Sequence, residues 1–111
     1  MTFEKIEEFI LSLGGVNVSQ PFKENLVVYN LGPDETTMFA LINQERIPLR
    51  LSLRCDPELA KLLRDKYEEV MPGEHLDAKK WNTIILSGQL GEAEIKDLIR
   101  HSFELVKSDF S

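Results

Sequence analysis

The run RIPLRLSLRC, residues 46–55, alternates apolar and polar side chains and is followed at once by Asp56-Pro57-Glu58. Few local structures fit that pattern. A period of two belongs to a half-buried β-strand, sending Ile47, Leu49, Leu51, Leu53 and Cys55 to one face and Arg46, Pro48, Arg50, Ser52 and Arg54 to the other. Pro48 has no N–H to give to a ladder, so it should lie at the strand's start or on an edge. Asp56 supplies a capping acceptor, Pro57 a φ already near the helical value, and Glu58 an acid at the positive end of the dipole, which together start a helix. Leu59, Leu62, Leu63 and Tyr67 form its expected buried stripe.

The remaining segments arrange themselves around this unit. Thr2 can cap a first helix whose Phe3, Ile6, Phe9, Ile10 and Leu13 share one face, with Gly14-Gly15 as its stop. LVVYNL (residues 26–31) and TMFALIN (37–43) flank the turn signal Gly32-Pro33-Asp34 and read as a hairpin. Residues 83–86 read as another strand, closed by Ser87-Gly88, and a last helix from near Gly91-Glu92 buries Ile95, Leu98, Ile99, Ser102 and Val106. The expected fold is α+β, a two-layer sandwich of order α-β-β-β-α-β-α, with an antiparallel sheet and helices on one face.

At 111 residues the chain makes one domain, 1–111, able to bury roughly two-thirds of its unfolded surface. No apolar run approaches the ~20 residues of a membrane span, and the opening MTFEKIEEFI carries acids where a secretion signal carries basic residues; the expectation is a cytoplasmic protein with no membrane partner. The single cysteine excludes an internal disulfide and, with two distant histidines, a closed zinc site. A net charge of −6 disfavours whole-surface attraction to nucleic acid, so any such binding needs a local patch.

Catalytic chemistry finds little support. Cys55 falls on the apolar side of its strand and reads as a small packing group rather than an activated thiol. Glu4, Glu7 and Glu8 read as a solvated helix face rather than a cation site. Glycine-rich phosphate loops, zinc-protease pairs and nucleophile elbows are absent from the sequence, and the expectation is a non-enzyme without cofactor or metal. The polar side of the alternating run says more. Arg46, Arg50 and Arg54 would stand about 13 Å apart at ~3.3 Å per residue, a row of guanidinium forks suited to phosphate, with Ser52 between them and Tyr29 or Thr83 on adjoining strands. The competing reading has these arginines pair with glutamates across an exposed sheet face.

LSLRCDPELAKLLRDKY (51–67), MPGEHLDAKKWNTIILSGQL (71–90) and IRHSFELV (99–106), with Gly14-Gly15-Val16, Pro21-Phe22 and MFALIN, together resemble the MmcQ/YjbR family of small bacterial proteins over essentially the whole chain. That resemblance implies a frataxin-like (CyaY-like) sandwich and a DNA-binding label drawn from double-wing phage transcription factors. The family's P-G-x-H-L turn and W-N-T fall here on Pro72, Gly73, His75, Leu76, Trp81, Asn82 and Thr83. Glu74 stands where an aromatic is common, and Asp77-Ala78 leaves Lys79 and Lys80 as the loop's basic pair.

The residues allow two accounts of this loop. In one, Trp81 packs with its indole N–H on a loop carbonyl or His75, and Asn82 holds the local backbone by an Asx-type bond. In the other, His75, Lys79, Lys80, Trp81 and Asn82 grip a phosphate or stack on a base. His101 reads as a helix-surface residue. The expected function is accordingly non-catalytic DNA binding through Arg46, Arg50, Arg54 and this loop. The alternative is an unidentified protein partner docked on the same sheet face or on the acidic first helix.

Overall fold

The computed structural model describes residues 1–74 and 76–110. Helix α1 (Phe3–Ser12) begins where Thr2 accepts a hydrogen bond from the Lys5 N–H, and the chain leaves it through Gly14 and Gly15 at positive φ. Strands β1 (Asn17–Ser19), β2 (Leu26–Asn30), β3 (Met38–Asn43) and β4 (Arg50–Arg54) follow. Helix α2 (Pro57–Lys66) starts on Asp56, whose carboxylate accepts from the Glu58 and Leu59 N–H groups; β5 (Val70–Pro72), β6 (Trp81–Ile85) and α3 (Glu92–Phe110) complete the chain. The six strands form one antiparallel sheet in the order β1-β2-β3-β4-β6-β5.

The architecture is the expected α+β sandwich with two further strands. β1 and β5 have three residues each, too few for alternation to register in a sequence, and they form the sheet's two edges. The helix-side core joins Ile6 and Ile10 of α1 and Ile95, Ile99, Phe103 and Val106 of α3 to Val27, Tyr29, Ala40, Ile42, Leu51, Leu53 and Ile84 of the sheet. Between Tyr29 and Asn30 the register with β3 slips, leaving Phe39 without a residue opposite; its ring meets Phe103 edge-on at 5.5 Å. In α2 the expected stripe holds only in part. Ala60 is the buried residue, Leu59, Leu63 and Tyr67 are half-buried, and Leu62 faces solvent.

The alternating run is shorter than its pattern. β4 begins at Arg50; residues 46–49 form a loop, and Ile47 is 99% exposed instead of facing the core. Pro48 cannot donate to a neighbouring strand, and pairing starts only beyond it. Tyr29, expected near the arginines, lies on the helix side, fully buried, where its hydroxyl donates to Glu7 of α1 at 2.6 Å. Burial, and then the nearby Glu7 carboxylate, push its pKa upward. Among the described residues no helix is long and apolar enough to cross a membrane.

Candidate functional site

The reverse side of the sheet is where the sequence places its chemistry. Cross-strand register aligns Val28 with Leu41, Leu41 with Ser52, and Ser52 with Thr83, and puts Arg50 and Arg54 on this same side. It is not open. Val28, Ser52, Thr83 and Trp81 are all buried. The cover is the segment after β5, which folds back so that Leu76 packs against the cluster of Val28, Met38 and Trp81.

Gly73, Glu74 and Asp77 fasten that segment to the sheet and return it to β6. The Gly73 N–H donates to the Trp81 carbonyl at 3.0 Å, and a Cβ on Gly73 would sit 2.6 Å from the Trp81 Cβ and 3.3 Å from the Leu76 Cβ. Only glycine lets the loop lie this close to Trp81. Asp77 accepts from Lys79 N–H through its side chain and from the Lys80 and Trp81 N–H groups through its carbonyl, forming the turn that returns the chain to β6. Thr83 Oγ1 accepts from the Glu74 N–H at 2.9 Å and shares a 2.8 Å hydrogen bond with Ser52 Oγ, fastening loop to sheet.

Asn82 points the opposite way. Its amide donates to the Ala60 carbonyl of α2 at 3.2 Å, and its oxygen accepts from Arg64, whose guanidinium also reaches the Ala78 carbonyl at 2.9 Å. The Asx-type bond expected of Asn82 is made by Asp77 instead. Asn82 is buried, and Trp81 packs with Val28 and Met38. His75 lies outside the described residues.

The arginine row does not form. Arg46 is exposed in the loop before β4. Arg50 Nη1 lies 2.5 Å from Glu74 Oε2, and the two side chains are each only 20% exposed. At the far end of β4, Arg54 Nη2 lies 3.7 Å from the Asp109 carboxylate of α3, and its buried Nε has no partner. Lys79 and Lys80 are exposed on the loop. Glu74 is thus the residue that neutralises the central arginine.

Beside this pair the loop and β2–β3 enclose a groove of about 370 Å³, lined by Phe22, Leu26, Leu41 and Leu76 with Lys23, Glu45 and Glu74 at its edges. Phe22 is 56% exposed, and Lys23 pairs with Glu45 at 3.7 Å. Single apolar residues carry no periodic signal when they come from two loops and two strands, which is why the groove was not legible in the sequence.

Two further sequence candidates resolve. Cys55 is buried, and desolvation, aided by the neighbouring Asp56 carboxylate against an opposing Arg64, pushes its thiol up to about 11; it stays protonated and unreactive at neutral pH. His101, half-buried on α3, accepts the Asp56 N–H through Nε2 at 3.1 Å and so supports the start of α2. Among the described residues no group of three or more His, Cys, Asp or Glu side chains stands close enough to hold a metal ion.

These features define a small α+β sandwich whose reverse sheet face is packed under the loop after β5, with a groove at its margin. The chain belongs to the YjbR family, whose sequence model matches residues 11–105. It is similar to the uncharacterized protein YjbR of Escherichia coli K12, 34% identical over 70 residues that cover 63% of this chain and 59% of that protein. It also resembles the uncharacterized protein YyaQ of Bacillus subtilis, 42% identical over 57 residues covering 51% and 48%. Each of these matches therefore spans less than two-thirds of the relative's length. Among solved structures, the Deinococcus radiodurans protein DR2400 superposes with a TM-score of 0.92 at 30% identity over 99% of this chain and 81% of its own.

Proposed function

We propose that this chain is a non-catalytic binding module whose groove at Phe22, Leu26, Leu41 and Leu76 takes an apolar segment of a protein partner. The observation that carries this reading is the contrast between the groove and the row beside it: four apolar side chains line an accessible hollow, while Arg50, the arginine nearest to it, is already bound to Glu74. A polyanion needs free cations; an apolar side chain needs an apolar floor that excludes water. The paired Lys23–Glu45 and Arg50–Glu74 form a polar rim of little net charge around that floor. A photo-activatable side chain at Phe22 tests it, with exposed Leu62 on α2 as the control position. The expected outcome is a discrete cross-linked protein from position 22 alone, resistant to nuclease and lost with Leu41→Lys. Cross-linking that is equal at both positions, or nuclease-sensitive, contradicts it.

A second reading keeps nucleic acid as the partner but moves it to Arg54, Lys79 and Lys80. Its support is that both lysines are solvent-exposed and that Arg54 holds its acid at 3.7 Å only. It expects affinity for DNA that falls steeply with salt and weakens with Lys80→Glu equally for all base sequences. Absence of salt-sensitive binding near ~50 mM salt rejects it.

A further inference from the structure

At the end of the sheet opposite the groove, the turn before β3, the end of β4 and the turn before β6 meet the last turn of α3. They enclose a hollow of about 480 Å³ lined by Thr36, Thr37, Arg54, Lys80 and Asp109. Among the described lining residues, two cations face one acid. Arg54 is the unusual member. Its side chain is 19% exposed and, among the described residues, its buried Nε has no hydrogen-bond partner and its ion pair is a 3.7 Å contact with an Asp109 that is 73% exposed. A guanidinium carries five N–H donors, and a largely buried one is normally paired and hydrogen-bonded. A long contact to a solvated carboxylate meets that need poorly. The strand end fixes Arg54 all the same, because its backbone N–H donates to Ser102 Oγ of α3 at 2.9 Å.

We propose that this hollow is a binding site for a small phosphate monoester, with the phosphate seated between Arg54 and Lys80 and displacing Asp109. A dianionic phosphate supplies the acceptors that Arg54 lacks and suits two cations better than a single carboxylate does. Thr36 Oγ1 gives its one O–H to Asp34 Oδ1 and Thr37 Oγ1 gives its own to the Asp34 carbonyl, so both threonines serve as wall and the two cations carry the binding. A net charge of −6 opposes a long polyanion far more than a small one, which selects a monoester over a nucleic-acid strand. The hollow lies at the other end of β4 from the groove, so loss of either site leaves the other standing.

The test is an NMR titration of the ¹⁵N-labelled chain with methyl phosphate at constant ionic strength, dimethyl phosphate and chloride serving as comparison arms. The expected result is saturable shifts at Thr36, Arg54, Lys80 and Asp109. Lys80→Ala, which removes an exposed side chain and leaves the core intact, should weaken binding by about tenfold, the loss of one charge-assisted contact. Asp109→Asn should tighten it, because the competing carboxylate is gone. Non-saturating shifts, shifts matched by chloride, or no weakening in Lys80→Ala overturn the site. Dimethyl phosphate binding as well as methyl phosphate overturns the monoester assignment in favour of a diester backbone.

Discussion

Arg50 and Glu74 meet at 2.5 Å across the reverse face of the sheet, the first from the start of β4 and the second from the loop that covers it. Because each side chain is only 20% exposed, neither charge can turn fully to water when the other is removed. Glu74→Gln should therefore lower stability by about 1–3 kcal/mol, less than for a fully buried pair. Arg50→Met combined with Glu74→Leu should recover most of that loss, because what costs is the unpaired charge. Urea unfolding of the single and double variants at constant m-value measures both effects; additive losses would show that the pair does not act as a unit.

Gly73→Ala should destabilise by about 1–3 kcal/mol through overpacking. Its new methyl would stand 2.6 Å from the Trp81 Cβ, an atom that alanine also carries. Trp81→Ala in the same chain should consequently give no rescue, whereas relief by Trp81→Ala would show that the indole, not the backbone approach, sets the limit. Thermal unfolding of the two single variants and the double variant decides between these outcomes.

Asn82 ties β6 to α2 by bonds to the Ala60 carbonyl and the Arg64 guanidinium. Asn82→Ala removes both bonds and should cost about 1–3 kcal/mol. Hydrogen exchange should quicken in α2 before it quickens in α3, whose contacts with the sheet do not pass through this residue. Faster exchange confined to the 76–80 loop would instead return Asn82 to the loop role read from the sequence.

Cys55 gives the protein a signature in alkali. Its charged form is the thiolate, which burial disfavours, so the folded chain keeps its proton up to about 11 against ~8.5 for an unfolded cysteine. Above ~8.5 the unfolded state loses that proton first, and the stabilisation, complete below this pH, is lost as pH rises through about 11. The stability difference between the parent and Cys55→Ala should shrink over that window, measured by denaturant titration at each pH. A difference that stays constant from pH ~8 to ~11 would mean the thiol is not desolvated.

Where the sequence carried periodic or capping signals, it was legible. Thr2, Asp56-Pro57 and the alternation from Leu51 to Leu53 each specify a local conformation, and the structure places the α1, α2 and β4 elements where they point. Legibility ended where the decisive contact is between distant segments. Nothing near Arg50 in sequence announces Glu74, 24 residues away, and alternation that carries back to Ile47 cannot reveal that Pro48 ends the pairing early. The W-N-T motif shows the same limit. Its residue types permit both a phosphate grip and a structural clamp, and the bonds of Asn82 to α2 and of Thr83 to Ser52 and Glu74, which supply the clamp, come from segments far away in sequence. The groove, assembled from Phe22, Leu26, Leu41 and Leu76, belongs to no single element and left no pattern to read.

The central claim is that the reverse face is charge-neutral at its middle because Glu74 holds Arg50. Fluorescence anisotropy of a labelled DNA duplex, titrated with the parent chain, Arg50→Glu and Glu74→Gln from ~50 to ~200 mM salt, tests it most directly. Identical, weak or absent binding by the parent and Arg50→Glu, with a gain in salt-sensitive affinity only for Glu74→Gln, is the predicted result. Tight, salt-sensitive binding by the parent that Arg50→Glu abolishes would contradict it.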